Sequence, residues 1–177
     1  QKDWVQQEIF CLDFDNEGKN ITPITLEDAM KKLEEMGLKI FLVYRSFSDG
    51  KIVNGSAIEK FRIVFTTTEV IKDRELRDKL QATLMGLMKE HIDKSCKNRN
   101  RYFYGTSPDK MVYVDYEAAI DAHEVVDTFW QEEYEEFLPS DAKKKMKRKY
   151  SNSAMENEYS IILTPKYIWK NQTITQS

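Results

Sequence analysis

A chain of 177 residues suffices for one folded domain, or one with an appendage, and buries about 70% of its unfolded surface without needing disulfides or a structural metal. Its two cysteines, Cys11 and Cys96, form neither a disulfide framework nor a zinc-type pair, which points to a reducing compartment and a cytoplasmic location. A net charge of −3 excludes a globally basic nucleic-acid binder, and no apolar run has the length of a membrane span.

The opening QKDWVQQ has no basic-then-apolar leader pattern. It lacks an initiating methionine and runs at once into an apolar segment, as expected of a piece of a longer protein. Residues 8–14, EIFCLDF, read as a buried strand whose end carries Asp13 and then Asp15. Side chains alternate along a strand, so these carboxylates share a face with Cα atoms roughly 6.5–7 Å apart. Like charges so close destabilise each other unless water, a proton or a cation intervenes, and hard oxygen ligands usually take Mg²⁺ or Mn²⁺. The plainer reading is a strand end running into the turn Asp15-Asn16-Glu17-Gly18.

Thr25 is a helix cap with Asp28 three residues on, and Leu26, Ala29, Met30, Leu33 and Met36 keep helical spacing up to Gly37, a natural stop. Residues 38–45, LKIFLVYR, form the next strand. A strand–helix–strand unit predicts parallel strands with a site beyond their carboxyl ends. The polar segment 46–57 reads as a loop with room for a short strand at 51–53. In EKFRIVFTT, Phe61, Ile63 and Phe65 face one way and Lys60, Arg62 and Val64 the other. A second amphipathic helix follows over residues 73–91, with Leu76, Leu80, Leu84, Leu87 and Met88 on its apolar side. Residues 101–104 and 110–114 read as strands joined by GTSPD, and 116–137 as one long acidic helix that Pro139 terminates. Ser140 caps a further helix carrying the basic run 143–149, and EYSIILTP adds a strand.

Three stretches carry chemistry. Lys60 and Arg62 share a strand face, Arg62 with the fork for a bidentate phosphate contact; an exposed strand face is the bland alternative. NRNRYFYG interleaves Arg99 and Arg101 with Tyr102 and Tyr104, a pattern that suits phosphate contacts beside base stacking, although tyrosine in a half-buried strand is ordinary. The run Lys143, Lys144, Lys145, Lys147 and Arg148 tracks the phosphates of a single strand or forms a solvated helix face. There is no GxxxxGK[ST] phosphate loop, no GxSxG element and no histidine cluster, so motor, acyl-transfer and paired-histidine nickase chemistry find no support. His91 and His123 have no partner at ligand spacing.

The order LDFDN, a serine-rich loop, KFRIVF and then Asp93 before RYFYG resembles the core of archaeo-eukaryotic-type primases, in particular the primase–polymerase-like N-terminal domains of plasmid and phage replication proteins. The likeness covers residues 9–113. It implies an α/β (α+β) fold, an RRM-like core with a mixed sheet flanked by helices over residues 1–115; the residues beyond, 116–177, read as a helical extension with the basic segment. It further implies a metal-dependent nucleotidyltransferase that makes or extends primers on a single-stranded DNA template from NTPs or dNTPs. A helicase partner is expected in the same chain or in trans. By the same likeness Asp13, Asp15 and Asp93 are the catalytic acids holding Mg²⁺ or Mn²⁺. The likeness implies that Ser46 and Ser48 contact nucleotide phosphates; Lys60 and Arg62 are placed to hold the triphosphate instead, and Arg101 and Tyr104 are further nucleotide-binding candidates by their residue types. Nucleotidyl transfer uses two such cations about 3.5–4 Å apart, one at the attacking hydroxyl and one at the triphosphate, and three converging carboxylates suit that pair. One departure stands out: Asp49 occupies the place where the family has a histidine after the serine. It leaves two rivals open, a replication module that binds DNA without chemistry and a metal-dependent nuclease.

Overall fold

A computed structural model describes residues 4–17, 20–53, 55–99, 101 and 103–145. The first compact unit runs through Pro139 and the second begins at Ser140. Within the first, strands β1 (Gln7–Phe14), β2 (Leu42–Arg45), β5 (Phe61–Ile71) and β6 (Met111–Val114) form a sheet in the order β1-β5-β2-β6, while β3 (Lys51–Val53) and β4 (Ser56–Ile58) make a separate hairpin. Helices α1 (Leu26–Glu35), α2 (Arg74–Leu87) and α3 (Ala122–Phe129) complete it. This is an α+β architecture.

Both β1 and β2 pair antiparallel with β5, which lies between them, so the two strands of the strand–helix–strand unit run the same way without touching. The expected mixed sheet is thereby corrected: among the described residues its paired strands are all antiparallel, because the third long strand returns between the first two, and parallel pairing is an isolated bridge between Thr67 and Ile120. Register fixes the faces. Leu12 stands opposite Ile63, and Ile63 opposite Val43, in a row buried to 0% exposure. Phe14 and Phe61 stack with ring centroids 4.7 Å apart, and Phe10 and Phe65 are equally buried. Each such side chain contributes about 1.5–3 kcal/mol of hydrophobic stabilisation. Helix α2 packs against β1 and β5 and buries Leu80, Leu84 and Met85.

The helix starts follow their sequence signals. Thr25 Oγ1 accepts from the Asp28 amide at 3.1 Å and donates to the Asp28 carboxylate, the Leu26 amide donates to Glu59, and Gly37 leaves α1 with φ +79°. Asp73 caps α2 by accepting from Glu75 and Leu76.

Two other expectations are corrected. Residues 116–137 are not one helix: Ile120 hydrogen-bonds to Thr66 and Thr68 of β5, Asp121 then caps the short α3, and Trp130 is extended before a 3₁₀ turn at Glu132–Phe137. This segment packs on α2 within the first unit. Residue 101 and residues 103–104 are outside any strand; the Tyr104 carbonyl bonds to side chains of the sheet instead of a ladder. Residues 140–145 are helical, and the expected strand at EYSIILTP lies outside the described residues. No helix among the described residues is long and apolar enough to cross a membrane.

Candidate active site

The face of the sheet opposite Leu12, Ile63 and Val43 carries a second row. Asp13 stands across from Arg62, and Arg62 across from Tyr44. Asp13 is 8% exposed, and its Oδ1 accepts from Arg62 Nε at 3.0 Å. Continuing that register by two residues sets Asp15 opposite Lys60, and Lys60 Nζ lies 2.9 Å from Asp15 Oδ1. The repulsion between the two strand-end acids is therefore resolved by cations of the neighbouring strand. Lys60 also pairs with Glu17, which Lys51 reaches at 3.1 Å.

Strand β1 is an edge, and its outer carbonyls need donors. Gln81 of α2 supplies one to Cys11, and the Asp93 amide supplies another to Asp13 at 3.0 Å. Asp93 caps a 3₁₀ turn at Lys94–Lys97, accepting from the Ser95 amide at 2.8 Å and from its hydroxyl. Arg101 then binds both acids through Nη2, 3.2 Å from Asp13 Oδ2 and 3.0 Å from Asp93 Oδ2. Burial pushes the Asp93 carboxyl up, but Ser95 and Arg101 outweigh it and hold it below the usual range. Arg62 is likewise held above its ordinary value: burial opposes its charge, and Tyr44 and Asp13 more than compensate.

Arg62 Nη1 donates to the Tyr104 carbonyl at 2.9 Å, and the Tyr44 hydroxyl reaches the same oxygen at 3.4 Å. The Phe103 ring receives two guanidinium groups, Arg62 at 5.4 Å and Arg101 at 5.6 Å from its centroid, and packs against buried Cys11, Tyr44 and Val64. Tyr104 is 82% exposed. Ser46 and Ser48 lie just beyond β2, their hydroxyls 3.5 Å apart, in a loop tied to Lys60: the Ser46 amide donates to the Lys60 carbonyl and the Lys60 amide to Asp49. Asp49 also pairs with Arg45. Asp49 thus braces the loop.

The structure brings together Asp13, Asp93, Arg62, Arg101 and the Tyr104 carbonyl, with Asp15 and Lys60 two residues along the same face. The Ser46 and Ser48 hydroxyls face each other, and the serines adjoin these groups through the backbone of Lys60. Of the basic run, Lys143, Lys144 and Lys145 fall in helical residues of the second unit, and Lys147 and Arg148 lie outside the described residues. Sequence reasoning misses Tyr44, Phe103 and Ser95; only the pairing register shows that Tyr44 extends the Asp13–Arg62 row.

The carboxylate oxygens are the right donors for Mg²⁺ or Mn²⁺, but the arrangement does not fit a metal pair. Both oxygens of Asp13 accept from guanidinium groups, Asp93 is taken up by Ser95 and Arg101, and Asp15 faces Lys60. Among the described residues no group of three or more His, Cys, Asp or Glu is placed to hold a metal ion. Comparison with protein-family models, with curated proteins and with solved structures returned no match.

Proposed function

We propose that this chain is a primase–polymerase-type nucleotidyltransferase domain of a replication protein, acting on nucleoside triphosphates over a single-stranded DNA template. One observation carries the reading. Acids from two segments far apart in sequence, Asp13 at a strand end and Asp93 at a turn, are joined directly by a backbone bond and jointly by Arg101, with Arg62 on the adjoining strand. The site is balanced in charge, with Asp13 and Asp93 against Arg62 and Arg101. An incoming triphosphate carries several negative charges and competes for both forks, which match phosphate as well as carboxylate geometry. The exposed Tyr104 then stands beside the phosphate-binding groups, where a base can stack on its ring.

A second reading rests on an observation of its own: the arginines occupy the acids, and Asp49 braces the loop in which the family has histidine. On that reading the domain binds nucleotide and single strands without joining nucleotides. The deciding experiment incubates purified protein with primed and unprimed single-stranded templates, labelled NTPs or dNTPs, and Mg²⁺ or Mn²⁺. Labelled product lost in Asp13→Asn and Asp93→Asn supports the nucleotidyltransferase. Template and nucleotide binding without product supports the second reading, and template shortening would assign a nuclease.

A further inference from the structure

Arg101 also borders a cleft of about 300 Å³ formed where the start of β1, α2 and the segment after Asp93 meet. Its lining includes Trp4, Gln7, Arg77, Gln81, Arg99 and Arg101, and no aspartate or glutamate is among the described residues that line it. The acids that pair with these arginines, Asp78 for Arg77 and Arg99, and Asp13 and Asp93 for Arg101, are absent from the lining. A ligand in the cleft therefore lies among three arginines and no carboxylate-bearing residue.

Two donors on residues that line it are unspent. Trp4 Nε1 and Arg101 Nε are buried and have no hydrogen-bond partner among the described residues. A buried N–H without an acceptor is costly, and folded proteins leave few of them. Arg77 adds a related cost: burial outweighs the opposing pull of Asp78 and brings its pKa down to about 10. An oxyanion relieves both, since it supplies acceptors and offsets the buried positive charge.

We propose that the cleft binds a phosphoryl group, whose oxygens accept from Trp4 Nε1 and Arg101 Nε in the field of Arg77 and Arg99. The inference rests on the nucleotidyltransferase reading only in taking that phosphoryl group from a nucleotide or from a strand. A nucleoside triphosphate and the backbone of a single strand both present this chemistry. The cleft is separate from the Ser46–Ser48 loop, and shares Arg101 with the acidic pair.

The test follows the indole N–H resonances of the ¹⁵N-labelled full chain, which has three tryptophans; Trp4→Phe identifies the Trp4 signal. The probes are inorganic phosphate, a nucleoside triphosphate and an oligonucleotide without terminal phosphates, each without divalent metal and against chloride at matched ionic strength. The Trp4 signal should move and saturate while that of Trp130, which is not part of the lining, stays. Gln6, an exposed residue on the lining, permits a change that spares the buried arginines. Gln6→Glu should weaken binding about threefold and Gln6→Lys strengthen it, as expected of a partly screened charge. Saturation by triphosphate at lower concentration than by oligonucleotide assigns the site to nucleotide, and the reverse order to the strand. A Trp4 signal unmoved by all three probes, or moved equally by chloride, overturns the proposal, as does indifference to Gln6→Glu. Primer synthesis with a silent Trp4 would remove the cleft and keep the nucleotidyltransferase; a responsive Trp4 without synthesis would do the opposite.

Discussion

The amide of Asp93 donates to the carbonyl of Asp13 at 3.0 Å, so the backbone itself sets the two acids side by side. Arg101 is the counter-ion they share, and among the described residues Arg62 pairs with Asp13 alone. Asp13 is thus the charge on which two partly buried guanidinium groups depend.

Asp13→Ala should destabilise the domain by about 1–3 kcal/mol, because it takes the carboxylate from the partly buried Arg62, while Arg101 keeps Asp93. The like-charge argument from sequence leads the other way, to a substitution without cost, and the difference is that the neighbours of Asp13 are cations. Asp15→Ala should cost less than about 1 kcal/mol, since its carboxylate is half exposed and Lys60 keeps Glu17. Urea unfolding of both variants checks the contrast, and equal costs would show that Asp13 does not hold the arginines.

Asp93 supplies a pH dependence of definite sign. Its folded pKa lies below the ordinary 3.8, so it contributes stability that is present above that value and lost as pH falls through the folded pKa. Asp93→Asn should therefore lower stability near neutrality, and the gap from the natural chain should close on acidification below pH about 4. A gap of constant size from neutral to acid would refute the assignment.

The acids at the end of β1, the caps Thr25 and Asp73 and the alternating Phe61–Ile63–Phe65 face are all legible in the sequence, because each is a local pattern of spacing or capping chemistry. The partners of Asp13 and Asp15 are not. They come from β5, on the far side of α1, β2 and the hairpin, and local periodicity carries no register for such a pairing. Residues 116–137 mislead for a related reason: an acidic amphipathic stretch reads as helix until Ile120 is seen to be held by β5.

Arg101 competes with any cation for the oxygens of Asp13 and Asp93. Calorimetry should find Mn²⁺ bound weakly by the natural chain in the absence of nucleotide and more tightly by Arg101→Gln, which frees acceptor oxygens and removes a repelling charge. Equal affinity in the two proteins would mean that these acids are not where the metal binds.

The thiols should be inert. Burial pushes Cys96 up to about 12 and Cys11 well above the ordinary thiol, and nucleophilic attack needs thiolate. Thiol reagents at mildly alkaline pH should label the folded chain far more slowly than the urea-unfolded chain, with both cysteines released together at the unfolding midpoint. Rapid labelling of either in the folded protein would contradict its burial.

Tyr134 is 5% exposed and sits on Gly86 of α2, where glycine in a helix interior is otherwise a poor choice. A Cβ built on Gly86 would collide with the Tyr134 ring, a contact that only displacement relieves. Gly86→Ala should therefore destabilise the domain by about 1–3 kcal/mol despite the better helix propensity of alanine. Tyr134→Ala should also destabilise it, by opening a cavity of aromatic size. Combined with Tyr134→Ala, Gly86→Ala should become neutral or stabilising, because the clash is gone and the propensity gain remains. Strictly additive losses in that cycle would mean that the ring does not rest on the glycine, and that the segment through Pro139 packs on α2 by some other surface.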